Sequence, residues 1–541
     1  MALGVLWFAA LVLLIWVLLK KWNQWKDLPP GPWGLPIVGY LPFLDRHYPH
    51  LSLTELSKQY GPVYGIQMGG VYTVVLSDHQ SIREAFSKDA FTGRAPLYLS
   101  HGITKGNGII CAENALWRDQ RKVVTSLLKS IGMIKHGIAR EKLSKRISDD
   151  IDELIQNIKE SCGSPIHLPD MLFDSFGAVV FDVVLGFKFP RNDKTWNWLR
   201  AILKEGGVEV AVSGALNFLP FLRFISPSKR KSLQVLINAQ TQTHKLNASI
   251  IAKRRKMIGL EAPPGAIRKD HANIFDDHPE GFIKCIKYSK HASNPEVHYF
   301  DPKVMIYTKD VCMLDNFLIE QKKRFDNGDD TAYLMRDEQL HYLLVDLFSA
   351  SLDTSTVTFS WLLLYISLYT EIQEKIRQEI LTVYPEEGVV DSTKLSYTLA
   401  AVCETQRIRT IVPLGVPHGC LQEAYFRNYR IPKGAMIIPL LWAVHMDTRV
   451  WKDPESFNPN RFIDENGQLI KPQELITFQA GKRMCPGDEL SRMSIVGHIA
   501  RLLRAFRIRL SSEPPTAEQM KGNTGISLMP PELLYICEPI S

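Results

Sequence analysis

The first nineteen positions, MALGVLWFAALVLLIWVLL, hold no charged side chain, and Lys20, Lys21 and Lys26 follow. As a helix this run rises about 28 Å, close to the hydrocarbon thickness of a bilayer. Its apolar core is too long for a cleaved signal peptide and ends without a small-x-small site. The pattern predicts a single transmembrane helix over 1–20, with the lysines and the remaining chain on the cytoplasmic side. Four prolines follow between Pro29 and Pro36. They forbid helix and predict a stiff, extended hinge over 21–45. The body, 46–541, then opens on two β-patterned runs, 63–67 and 71–77, joined by Met68-Gly69-Gly70 as a hairpin. Asp78 is placed to cap a helix running through Phe86.

Beyond residue 115 the periodicity is helical. One helix opens near Glu113–Trp117 and another runs through 141–159. The segment 259–301 breaks the pattern with Pro, Gly, Asp and His, and predicts an exposed insertion; the whole stretch 259–336 precedes the next long element as insertion and loop. The spacing of His271, His278, His291 and His298 is irregular, and no metal set is assigned to them. A helix of about 50 Å is then predicted over 337–369. It is apolar except for a polar knot, Ser349-Ala350-Ser351-Leu352-Asp353-Thr354-Ser355-Thr356. A carboxylate at mid-helix is costly to bury without partners, so the knot reads as functional.

Composition changes this picture little. The chain has 541 residues, 45% hydrophobic and 22% charged, with a net charge of +7. That balance suits a large globular core and gives no reason to expect a nucleic-acid partner. Lys229-Arg230-Lys231 and Lys253-Arg254-Arg255-Lys256 lack interleaved aromatics and read as solvated helix ends, with an acidic partner or anionic lipid as the alternative. Eight scattered cysteines without a C-x-x-C pair argue against zinc and against a disulfide scaffold. There is no dinucleotide fingerprint and no phosphate loop.

Among those cysteines Cys485 has a special context, Phe478-Gln479-Ala480-Gly481-Lys482-Arg483-Met484-Cys485-Pro486-Gly487. Gly481 and Gly487 bracket it, allowing a tight turn and close approach of a flat ligand. Asp488-Glu489-Leu490 then opens a helix whose N-terminal dipole favours a thiolate. Arg483 is placed to meet an anionic group. A thiolate in such a cradle suits an axial ligand to iron. Elsewhere, Glu404 and Arg407 share a helix face. Trp117 and Arg121, four apart, also share a face, and both are hydrogen-bond donors.

The ten residues around Cys485 resemble the haem-binding signature of the cytochrome P-450 family, with Phe478, Gly481, Arg483, Cys485 and Gly487 matching. Three further motifs agree in order: Trp117-x-x-x-Arg121, the knot Ala350-Ser351-Leu352-Asp353-Thr354, and Glu404-x-x-Arg407 with Arg461 downstream. Ser351 stands where the family has glycine, and Asn460 where it usually has glutamate.

The resemblance implies a mainly α fold with a small β region as one catalytic domain over 46–541, behind the N-terminal transmembrane helix. It implies haem (heme b, iron protoporphyrin IX) ligated by Cys485, with Phe478 and Gly487 in the same loop. Trp117, Arg121, His418 and Arg483 are implied as further haem contacts, chiefly to the propionates. It implies Asp353 and Thr354 as a proton relay, and Glu404, Arg407 and Arg461 as a buried structural triad. The implied activity is insertion of one oxygen atom from dioxygen into a C–H bond. Electrons would come from NADPH through NADPH–cytochrome reductase docking near Arg118, Lys122 and Lys482, with cytochrome b5 as a further partner. The bilayer would be that of the endoplasmic reticulum.

Three segments, 91–111, 404–420 and 478–490, further resemble arthropod ecdysteroid 25-hydroxylases. That resemblance implies a sterol substrate hydroxylated on its side chain at carbon 25, in a pocket walled by Ile109, Ile110, Ala350, Val412, Leu414, Ile526 and Leu528. The rival readings are another steroid or xenobiotic hydroxylase, and a non-enzymatic haem sensor or carrier. Intact Asp353, Thr354 and Glu404/Arg407 count against the sensor, which needs no proton relay.

Overall fold

A computed structural model of the chain describes residues 27–540, apart from 191–192, 211–213, 268–304, 309 and 387. The expected anchor over 1–20, the start of the hinge and the four insertion histidines lie outside the described residues. No helix among the described residues is long and apolar enough to cross a membrane. The chain forms two compact units.

The first unit comprises the described residues up to Pro96 together with Leu414–Ala443 and Ala480–Arg483. Its centre is a five-stranded sheet in the order Val63–Met68, Val71–Leu76, Met436–Pro439, His418–Gly419, Gly93–Arg94. The first two strands are the expected hairpin, in register Val63↔Leu76 through Met68↔Val71. Only Gly69 and Gly70 are left in the turn, and Gly69 adopts φ +55°, where glycine carries no Cβ penalty. Asp78 caps the helix His79–Ser87 as expected, its carboxylate accepting from the Ser81 N–H at 2.6 Å. The proline-rich run packs on the edge of this sheet: the Gly65 N–H donates to the Pro30 carbonyl at 2.8 Å. A Cβ on Gly31 would fall 1.7 Å from the Gly65 oxygen, so only glycine permits that approach.

The second unit is mainly helical. Its longest element is Asp337–Leu368, 32 residues, matching the predicted long helix to within one residue. Apolar residues surround it on nearly every side, so it reads as a core helix rather than an amphipathic one. Leu340, Leu343, Leu352, Phe359 and Trp361 are fully enclosed, and the helix packs on Leu168–Val180 and Ser396–Ile408. Helices Asn114–Ser130 and Ile138–Lys159 take the places that the periodicity predicted. The helix Asp488–Ala505 follows the Cys485 loop directly and buries Ile495, Val496 and Ile499 in the same core.

One element departs from expectation. The stretch 259–336, expected as insertion and loop, contains the helix Met313–Asp326. Its buried residues Met313, Leu314, Phe317, Leu318 and Gln321 recur at helical spacing, while Ile319 and Lys323 are exposed. The neighbouring polar run masked this short stripe. A buried ion pair between Arg254 and Asp315 fastens its first turn to the preceding helix, Pro227–Met257.

Candidate active site

In the second unit the Cys485 backbone N–H donates to the Phe478 carbonyl at 3.0 Å, closing the loop on itself. The Gly487 N–H points at Cys485 Sγ, 3.4 Å away, and the helix Asp488–Ala505 starts at the next residue. Burial pushes the Cys485 thiol up, and the carboxylate of Asp488 pushes the same way. The Gly487 N–H and the Arg121 guanidinium pull it down. Asp488 and Glu489 are themselves engaged: Arg492 pairs with both, and Arg140 reaches Glu489 at 2.5 Å. Burial in turn lowers the Arg121 pKa, opposed by Cys485 and Asp488. Thiolate formation therefore depends on a cation and an amide already in place.

This donor set fits a haem-thiolate ligand. An amide aimed at sulfur stabilises the anion without competing as a ligand. Gly487 has φ −97°, and a Cβ there would meet only Cys485 Sγ, at 3.9 Å. No atom among the described residues requires glycine at Gly487, so the bare backbone beside the sulfur is room for a flat group.

The long helix carries the polar knot. Ala350 is exposed, and Ser351, Asp353 and Thr354 around it are half-buried, although the helix is enclosed on either side of them. The hydroxyls of Ser351 and Thr354 donate to the carbonyls of Leu347 and Ala350, at 2.6 and 2.7 Å. Such bonds satisfy a buried hydroxyl within its own helix. Asp353 instead accepts from the Ser527 hydroxyl, near the C-terminus. Burial raises the Asp353 pKa and this bond lowers it.

Glu404 and Arg407 on helix Ser396–Ile408 form a fully buried bidentate pair at 2.7 and 2.8 Å. Arg461 approaches Glu404 at 3.2 Å, and the Asn458 N–H donates to the same carboxylate at 2.9 Å. Arg407 also donates to the carbonyls of His445 and Pro454. Each charge thus has partners on several sides, which a buried ion pair requires.

The apolar candidates of this unit fall into two groups. Ile109 and Ile110 are held by their backbone N–H groups on Asp346 Oδ2, at 2.7 and 2.8 Å, and Asp346 lies one turn before Ala350. Leu528 is enclosed, its N–H bonded to the Ile411 carbonyl at 2.7 Å, beside half-buried Val412. Ile526, two residues earlier, is exposed. Trp117 is buried on Asn114–Ser130, and Arg121 lies one turn on. Arg118 and Lys122 on the same helix are exposed.

The first unit carries the remaining candidates. His418 is buried, stacked on Phe86 with ring centres 3.6 Å apart, and its Nδ1 contacts the Phe91 carbonyl at 2.7 Å. A carbonyl only accepts, so Nδ1 carries the proton. Arg483 is buried and its Nε donates to the Thr92 carbonyl at 2.8 Å. Gly481, at φ +74°, lies against the Phe86 carbonyl, where a Cβ would come within 2.2 Å. Lys482 pairs with Asp89 at 2.8 Å, and Leu414 is buried.

Sequence reasoning missed Asp346 and Ser527. A lone carboxylate in the apolar run Tyr342–Phe348 was a usable signal for the first; nothing local marks the second.

The cytochrome P450 family model matches residues 29–537. The chain is 36% identical to Cytochrome P450 306a1 of Drosophila melanogaster, covering 96% of this chain and 91% of that one. It is 29% identical to Cytochrome P450 18a1 of the same species, over 98% and 90% of the two chains. With human Cytochrome P450 2U1 it shares 27% over 97% and 92%. A family match across nearly the whole chain, with Cys485 in a loop that runs straight into a helix start, makes this protein a member of the cytochrome P450 family of haem-thiolate monooxygenases.

Proposed function

We propose that the chain hydroxylates the sterol side chain of an ecdysteroid precursor at carbon 25. The observation that carries this reading is the wording of segments 91–111, 404–420 and 478–490, which resemble the ecdysteroid 25-hydroxylases. Apolar side chains at Ile109, Ile110, Ala350, Val412, Leu414 and Ile526, with enclosed Leu528 behind them as proposed backing, suit a substrate that offers few polar handles and must be held by shape.

Cys485 is the proposed iron ligand, and Trp117, Arg121, His418 and Arg483 the proposed propionate contacts. When bound, the haem supplies dioxygen activation and oxygen insertion. The chain supplies the surroundings. The Gly487 amide and Arg121 hold charge on Cys485 Sγ. The Asp346 carboxylate orients the Ile109–Ile110 backbone. Asp353 Oδ2 and Thr354 Oγ1 hold and pass protons at the opening around Ala350. Electrons come from NADPH through NADPH–cytochrome reductase, with exposed Arg118 and Lys122, and Lys482, as the docking charges; cytochrome b5 is a further partner. The proposed location is the endoplasmic reticulum membrane, with the anchor over 1–20 and the body cytoplasmic. Exposed Phe224 and Ile225, close in sequence to Lys229–Lys231, support contact with a lipid surface.

The test is mass spectrometry of products from a sterol panel, with full-length protein and reductase in vesicles. A ketotriol-like ecdysteroid precursor is expected to shift the Soret band to shorter wavelength and to gain one hydroxyl at carbon 25. If sterols give neither shift nor product while small aromatic drugs give both, the xenobiotic reading replaces this one.

A further inference from the structure

Five hydroxyls around Asp353 turn inward on the helix itself. Ser349, Ser351, Thr354, Thr358 and Ser360 each donate to the carbonyl four residues earlier. Asp353 departs from this pattern, because its Oδ2 accepts the Ser527 hydroxyl, 174 positions away.

Ser527 is itself held in place. Its own carbonyl accepts from the Gly525 N–H at 3.0 Å, tightening the turn. The next residue, Leu528, is fixed at both backbone ends. Its N–H donates to the Ile411 carbonyl at 2.7 Å, and its carbonyl accepts from Trp361 Nε1 at 2.7 Å. Trp361 lies two turns beyond Asp353 on the same helix, so that helix holds the turn that orients its own carboxylate. Ser527 is buried, while the adjacent Ile526 is 45% exposed. A hydroxyl both donates and accepts, so Ser527 can orient the acid and also hand it a proton.

We propose that Ser527 is the positioning residue of Asp353, setting the direction of its carboxylate and supplying the proton donor through which it is recharged. The proposal rests on the reading of Asp353 as a proton relay. It makes the C-terminal turn Gly525–Leu528 part of proton delivery, a role that no local motif marks. In balance, each proton that Asp353 gives up is replaced at Oδ2 by the Ser527 Oγ proton, and Ser527 Oγ regains one from solvent.

The test compares Ser527→Ala, Ser527→Thr, Asp353→Asn and the Ser527→Ala/Asp353→Asn double variant. Each is prepared as the full haem-loaded chain with reductase. Ser527→Ala is expected to lower product formed per NADPH several-fold, releasing hydrogen peroxide instead, while the substrate-induced Soret shift is unchanged. Ser527→Thr, which keeps the hydroxyl, is expected to restore coupling. In the Asp353→Asn background Ser527→Ala is expected to add nothing. Burial raises the Asp353 pKa and Ser527 opposes it. Removing the donor therefore moves the alkaline limb of the coupling profile, where the acid has lost its proton, to higher pH. Thermal unfolding gives a readout independent of turnover: the double variant is expected to lose less than the sum of the two single losses. Unchanged coupling in Ser527→Ala, with Asp353→Asn impaired, overturns this proposal alone. Additive effects on coupling do the same. Normal coupling in Asp353→Asn overturns the relay reading and this inference with it.

Discussion

The carboxylate of Asp346 accepts the Ile109 backbone N–H at 2.7 Å, across 237 positions of sequence. The same oxygen takes the Ile110 N–H, and Gln339, two turns earlier, bonds both the N–H and the carbonyl of Gly108. A loop proposed to wall the substrate pocket is thus clipped to the long helix by backbone bonds, which leaves its isoleucine side chains free to be selected for fit. Gly108 makes the clip possible: it sits at φ +80°, and a Cβ would meet Asp346 Oδ2 at 2.2 Å.

Asp346→Ala leaves the Ile109 and Ile110 amides without this acceptor, each a cost of about 1–3 kcal/mol when buried. The expected outcome is a lower melting temperature together with a weakened sterol-induced Soret shift. Gly108→Ala is expected to do the same through clash and backbone strain. A normal spectral titration in both variants would show that the clip does not shape the pocket.

Arg407→Ala abandons the Glu404 carboxylate in the core, and Glu404→Ala abandons Arg407. Breaking such a pair costs about 3–5 kcal/mol. Little haem-loaded protein is expected from either variant, and Arg461→Ala is expected to be milder because its guanidinium meets Glu404 from a more exposed position. Haem content per chain and the melting temperature measure both effects.

His445 links pH to stability. Its Nε2 accepts the Ile476 N–H at 3.1 Å and its Nδ1 meets the Thr410 hydroxyl at 2.8 Å, so the ring is held neutral. Burial, with Arg407 adjacent, lowers its pKa from 6.5 to about 3. The unfolded chain takes up the proton first, so this contribution is intact above pH 6.5 and falls away as pH drops toward about 3. Between pH 7 and pH 5 the loss is about 2 kcal/mol. His445→Gln, able to keep both bonds, is expected to flatten the decline of melting temperature across that interval. An unaltered slope would remove His445 from the acid response.

Cys485→Ser replaces the thiol with a hydroxyl of far higher pKa. The ferrous–carbon monoxide band characteristic of thiolate ligation is expected to vanish while the chain still folds, since a serine hydroxyl can accept the same Gly487 N–H. Survival of that band would reassign the ligand.

How much of this could be read without the structure follows from the range of each interaction. The hairpin Val63–Leu76, the Asp78 cap and the long helix were legible because each is decided by neighbours within a few residues. The Cys485 loop was legible for the same reason: amide, glycine and helix start lie within one turn of the sulfur. Met313–Asp326 was missed because four buried apolar positions, Met313, Leu314, Phe317 and Leu318, beside a polar insertion make too short a stripe to stand out. The acceptor for Ile109, the donor for Asp353 and the third member of the Glu404 pair lie 237, 174 and 57 positions away. Periodicity carries no information about which distant residues meet. A motif can say that Asp353 requires a partner, because an unpaired carboxylate at mid-helix is costly to bury. Only the packing of the C-terminal turn, pinned by Trp361 and Ile411, decides that the partner is Ser527.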